Sequence, residues 1–140
     1  MPILIGFLFW SAGAQGQNSA EVILAGYKQV PRVPTPATGM AEVTLKSDTL
    51  IVDGNFSDLR EPYRSAAIFY GEEGEQGNQL FTLNPSLNED KTSGSFSGND
   101  NRFTLGGEIR KALSEGNLYI AITSSKYPRG EIRGQIPPIK

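Results

Sequence analysis

A chain of 140 residues has the length of one domain, enough to bury about two-thirds of the surface its unfolded form exposes. Thirteen Lys and Arg side chains against fifteen Asp and Glu give a net charge of -2 and a pI near 5.2, without the basic excess that neutralises nucleic-acid phosphates. Cysteine and histidine are both absent, which excludes disulfides and thiolate or imidazole metal ligands and removes the commonest catalytic base.

The first stretch, Pro2 to Trp10, is apolar but too short for a bilayer-spanning helix, and Ala12-Gly13-Ala14 follows in the A-x-A form of a cleavage site. Residues 1–16 are therefore predicted to be a secretory signal peptide, with a single mature domain over 17–140. A mature chain without cysteine cannot carry a lipoprotein anchor. Export to the periplasm, the cell surface or the medium is the expected outcome, with no membrane span in the mature chain. Val22 to Gln29 reads as a strand. Val30 to Gly39 holds three prolines, which forbid helix and central strand, and reads as an extended crossing segment. Ala41, Val43 and Leu45 alternate with polar residues, and Leu50, Val52 and Phe56 resume the alternation beyond Ser47-Asp48, the pattern of a hairpin.

Further strands are predicted at Ser65 to Tyr70, Gln79 to Leu83 and Lys91 to Phe96, separated by Gly-, Asn- or Glu-rich loops. Leu105 to Glu115 departs from this habit. It spaces Ile109, Ala112 and Leu113 three and four apart and stops at Gly116, as a short amphipathic helix capping one end of the fold does. Leu118 to Thr123 and Ile132 to Ile136 alternate again and read as half-buried antiparallel strands. The sum is an all-β protein, an antiparallel Greek-key β-sandwich with one short capping helix, and an open antiparallel barrel is the alternative.

Three stretches together resemble the CHRD domain, the chordin-type module. They are the segment from Gly26 to Gly39 ending in Pro36-Ala37-Thr38-Gly39, the hexapeptide Ala66-Ala67-Ile68-Phe69-Tyr70-Gly71, and Asn117 to Ile136 with its Gly130-Glu131-Ile132-Arg133-Gly134-Gln135 core. The resemblance runs from about Glu21 to Pro137 and implies a sandwich with the outline of copper-zinc superoxide dismutase. By the same resemblance, four family histidines would fall at Ile68, Tyr70, Thr123 and Tyr127, where no imidazole remains. Isoleucine cannot ligate, and neutral Tyr or Thr is a poor ligand for copper or zinc.

Four side chains are the binding candidates. Glu131 and Arg133, two apart on one strand, can present an oriented carboxylate and guanidinium, or can pack and pair structurally. Tyr70 and Tyr127 stand where the resemblance would place histidine, and tyrosine offers a rigid ring with a polar tip to a partner. Glu72, Glu73 and Glu75 in a Gly-rich loop, and Asp100 in Asn99-Asp100-Asn101, are oxygen ligands of the kind calcium takes, or simply a solvated loop and an ordinary turn. No catalytic residues and no cofactor are assigned, since no nucleophile, base or phosphate-binding motif is present. The expected role is a non-catalytic binding or structural module for an unidentified protein or polysaccharide. The alternative is a metal-binding or redox protein that uses oxygen ligands from the acidic loops.

Overall fold

The computed structural model describes residues 18–140, so the predicted signal peptide and its cleavage site lie outside the described residues. Ten strands and one helix follow in the order β1 Ser19–Ala25, β2 Thr38–Lys46, β3 Thr49–Ser57, β4 Tyr63–Tyr70, β5 Gln79–Thr82, β6 Pro85–Leu87, β7 Gly94–Phe96, β8 Arg102–Thr104, α1 Gly107–Glu115, β9 Leu118–Ser124 and β10 Ile132–Ile136. Every pairing is antiparallel, in the order β5-β4-β9-β10-β1-β2-β3-β7-β6, with β8 on the other half of β3.

The hairpin lies where the alternation predicts it. Val43 pairs with Val52 and Leu45 with Leu50, and the turn passes through Ser47 at a φ of 53°. The first strand ends earlier than expected, at Ala25, because a single 3-10 turn over Gly26–Lys28 redirects the chain into the proline segment. Two three-residue strands, β6 and β8, escape a reading by period, being too short to show one. Pro85 opens β6 at a sheet edge, where its missing N–H costs no ladder bond.

The strands form one strongly curled sheet and not the two separate sheets of a sandwich. The reason is local: β1 and β10 are joined through the pair Ala25 and Arg133, and this link fuses β5-β4-β9-β10 with β1-β2-β3 and its edge strands. Periodicity fixes which side chains face inward but is silent on such a link. β5 and β6 lie at opposite ends of the strand order yet are separated in sequence only by Leu83 and Asn84, so the curl brings the edges toward each other. Ring contacts span the gap, Phe81 with Phe103 at 5.0 Å between centroids and Phe56 with Tyr63 at 5.7 Å. Inside the curl, Val22, Leu24, Val43, Leu50, Val52 and Phe56 meet Ile68, Leu118, Ile120, Ile122, Ile132 and Ile136 in one core.

The helix covers part of this core with Ala112 and Leu113, as the spacing predicts. Gly116 caps it at a φ of 79°, a left-handed conformation that glycine adopts without a Cβ clash, and donates its N–H to Ala112 and Leu113 carbonyls. The loop before β8 is held by Asn101. Its buried amide donates to the Asn84 and Ser97 carbonyls at 3.0 and 2.9 Å and accepts from the Asn84 N–H at 2.6 Å. Asn99-Asp100-Asn101 therefore behaves as turn chemistry, with Asp100 exposed.

Candidate functional site

The outer face of β4, β9 and β10 carries the chemistry. Register places Ser65 opposite Thr123, Ala67 opposite Ala121 and Phe69 opposite Tyr119, while β10 adds Arg133 beside Ala121 and Gln135 beside Tyr119. Period two turns all of these away from the core that Ile68, Ile120 and Ile132 enter. Both faces of β9 are nonetheless buried, where a half-buried strand was expected, because the loop Gly71–Asn78 folds back over the outer face.

A stack holds that loop down. Tyr119 lies between Phe69, its ring centroid 5.0 Å away and nearly parallel, and the Arg133 guanidinium 3.5 Å above its centroid. The Tyr119 hydroxyl accepts from the Gly77 N–H at 3.1 Å. Arg133 donates to the Glu72 carbonyl at 2.9 Å, and the Gln135 amide donates to the Gly71 and Gly116 carbonyls at 2.8 and 2.9 Å. Burial pulls the Arg133 pKa below its ordinary value, and the neighbouring Tyr119 and Glu73 charges oppose that shift.

Glu131 is fully buried just before β10. Its carboxylate accepts from the Arg60 N–H at 2.8 Å, from the Ser124 hydroxyl at 2.7 Å and from the Thr35 hydroxyl. Three segments far apart in sequence, the proline segment, the β3–β4 crossing and the end of β9, thus converge on one side chain. Glu131 and Arg133 do not form the oriented pair considered from the sequence: both are buried, and each is occupied by other partners. Nor does Arg133 pair with a strand carboxylate, since among the described residues the one salt bridge joins Arg110 to Asp48 at 2.7 Å.

The two tyrosine candidates are kept apart. Tyr70 is half exposed on a cleft beside α1, with Leu80, Ile109 and Lys111. Tyr127 is in the β9–β10 loop, with the Lys126 ammonium 5.7 Å from its ring centroid. The four positions assigned to family histidines diverge equally, with Ile68 in the core and Thr123 on the outer face. The β4 positions that share a face with Thr123 are Ser65, Ala67 and Phe69, one residue out of step with Ile68 and Tyr70. None of these side chains fits a copper or zinc centre. Glu72, Glu73, Glu75 and Asp100 are exposed, and among the described residues no three Asp, Glu, His or Cys side chains gather to hold a metal. The Gly71 and Glu72 carbonyls of the same loop accept from Gln135 and Arg133.

Two clefts flank the outer face and share Gln29, Pro128 and Arg129. One, of about 410 Å³, is floored by Ser65, Phe69, Tyr119 and Thr123. The other, of about 400 Å³, lies between Val30–Val33 and Lys126–Gly130. Gln29, Arg32, Lys126 and Arg129 were not singled out from the sequence. Nothing local marks them, since the fold brings together two segments about a hundred residues apart. The CHRD domain family matches residues 20–136, nearly all of the described chain. The chain belongs to the CHRD domain family. No curated protein and no solved structure matches it. In this CHRD domain, the Gly130–Gln135 motif that carried the resemblance serves first as architecture, with Glu131 tying three segments together and Arg133 and Gln135 fastening the acidic loop.

Proposed function

We propose that this CHRD domain is an exported, non-catalytic binding module acting at the cell envelope or outside the cell. The observation that carries the reading is the pair of clefts meeting at Gln29, Pro128 and Arg129, built from hydrogen-bond donors and ring faces and lacking a nucleophile with an adjacent base. Such a lining recognises and does not transform. A polysaccharide or an extracellular protein is the partner class it suits, with Tyr127 at the rim. We read the curl as a Greek-key outline related to superoxide dismutase, because β1, β2 and β3 follow as consecutive neighbours and β10 returns to lie beside β1. The metal or redox alternative, resting on oxygen ligands from the acidic loops, finds no support in the scattered carboxylates.

The test is a binding screen of the purified protein against envelope polysaccharides and extracellular proteins, repeated with Thr123→Trp to fill the outer-face cleft and Tyr127→Ala to strip the rim. Saturable binding that weakens in either variant is expected. Failure of every partner to bind, or stoichiometric retained metal accompanied by redox turnover, would overturn the reading. Export is checked separately by intact mass, with loss of residues 1–16 expected.

A further inference from the structure

We infer that the cleft between Val30–Val33 and Lys126–Gly130 is an anion site that takes the acidic group of a carboxylate- or sulfate-bearing sugar. The inference rests on the binding reading above and names its ligand class. Three cations, Arg32, Lys126 and Arg129, line this cleft, and no carboxylate lines it. Among the described residues none of the three is in a salt bridge. That concentration occurs in a chain of net charge -2, so it is a local choice and not a reflection of composition.

The second observation is independent of charge. Gln29 is only 7% exposed, and its Nε2 is buried without a hydrogen-bond partner among the described residues. An unmade bond on a buried donor is costly, so native proteins seldom retain one without a use. The amide rests against Gly130, which has a φ of 132° and where a Cβ would lie 2.2 Å from Nε2. Both the backbone conformation and the missing side chain thus make room for it. Gln29 lines both clefts, and the last torsion of a glutamine is soft, so its NH₂ can turn toward an oxygen in either.

Guanidinium, ammonium and amide N–H groups are all donors, and arginine forks match the paired oxygens of a carboxylate or sulfate. A site so rich in cationic donors, with no carboxylate in its lining, selects an oxyanion. The carrier is argued from the walls: the Tyr127 ring and the Pro31 and Pro128 rings offer flat apolar faces, the surface against which the C–H face of a sugar packs. A hydroxyl-bearing ring also leaves polar groups for Gln29 once its acidic group is held by the cations.

The experiment titrates the purified protein calorimetrically with an oligouronate, a sulfated oligosaccharide, a neutral oligosaccharide of equal length and an oligoglutamate. Saturable binding of an acidic sugar is expected, weakened on going from about 0.05 M to about 0.5 M salt as the charges are screened. The double variant Lys126→Glu/Arg129→Glu and the isosteric Gln29→Glu should each lose at least about tenfold in affinity, while the same reversal at Lys111, on the helix, changes nothing. Circular dichroism of each variant verifies the fold, and Gln29→Glu preserves side-chain volume. Equal binding of the neutral sugar, tighter binding of oligoglutamate, or affinity unmoved by the reversals would overturn the inference. A partner from the wider screen that binds independently of these residues would sink the anion site alone and leave the binding module standing. A domain that binds no partner in either experiment would sink both.

Discussion

Replacing Glu131 measures how much of the fold hangs on one buried carboxylate. In Glu131→Ala the Ser124 hydroxyl loses its acceptor inside the protein, and the Arg60 N–H and the Thr35 hydroxyl, both part-buried, lose the same partner. A buried donor left unmade costs about 1–3 kcal/mol, so the Ser124 hydroxyl dominates, and the part-buried Arg60 N–H and Thr35 hydroxyl add less because water can reach them. Adding the lost packing gives about 2–5 kcal/mol, at the upper end of what single substitutions cost. Against a total stability of about 5–15 kcal/mol, that is a large fraction. Glu131→Gln is expected to behave differently. The amide oxygen can take the position that serves Arg60 and Thr35, and the NH₂ can donate to a Ser124 hydroxyl turned to accept, so the loss should be about 1–2 kcal/mol. Urea unfolding followed by far-ultraviolet circular dichroism separates the two. A loss below about 1 kcal/mol for Glu131→Ala would refute the reasoning. So would equal losses for both variants, since acceptor geometry would then not be what the junction uses.

Burial raises the Tyr63 hydroxyl to about 12 from its ordinary 10.0, so the fold holds this proton more tightly than the unfolded chain does. Its contribution to stability is full below pH 10 and is lost as the pH rises from 10 to 12, and Tyr63→Phe should flatten that part of a pH-stability profile. In Gly77→Ala the new Cβ would lie 1.5 Å from the Tyr70 carbonyl oxygen, a backbone atom that cannot step aside. The Gly71–Asn78 loop should lift away from Tyr119, with faster amide exchange along it and a cost of about 1–3 kcal/mol. Glu21, Glu42 and Asp53 face one another across β1, β2 and β3 on an exposed surface, and like charges directly opposite repel. Glu42→Thr should therefore raise stability by about 0.5 kcal/mol in low salt and by less in about 1 M salt, read from chemical denaturation.

What was legible in the sequence followed from the two backbone periods. Alternation located β2, β3, β9 and β10, and the Ile109, Ala112, Leu113 spacing with Gly116 located the helix and its cap. The missing part belongs to contacts between distant segments. β9 was read as half-buried because its own residues alternate, but its outer side is covered by a loop whose attachment depends on Arg133, Gln135 and Tyr119 together. The single link between β1 and β10, which turns two sheets into one, has no sequence signal at all. The candidate residues fared in the same way. Glu131 and Arg133 stood out for their type and spacing, whereas their separate partners could be seen only once the chain was folded.

The division of labour across the outer face bears on where binding can occur. Arg133 is buried, stacked on Tyr119 and bonded to the Glu72 carbonyl and the Gln135 side-chain oxygen, so it acts as a fastening, and Glu72, Glu73 and Glu75 hang outward from what it fastens. Arg129 differs at every point: it is exposed, lacks a salt bridge among the described residues, and sits where two clefts meet beside an amide with an unused donor. Structural satisfaction and binding capacity thus separate residue by residue along one short motif. The buried pair at 131 and 133 spends its hydrogen bonds on the fold, and the exposed cations just before it, at 126 and 129, keep theirs for a partner.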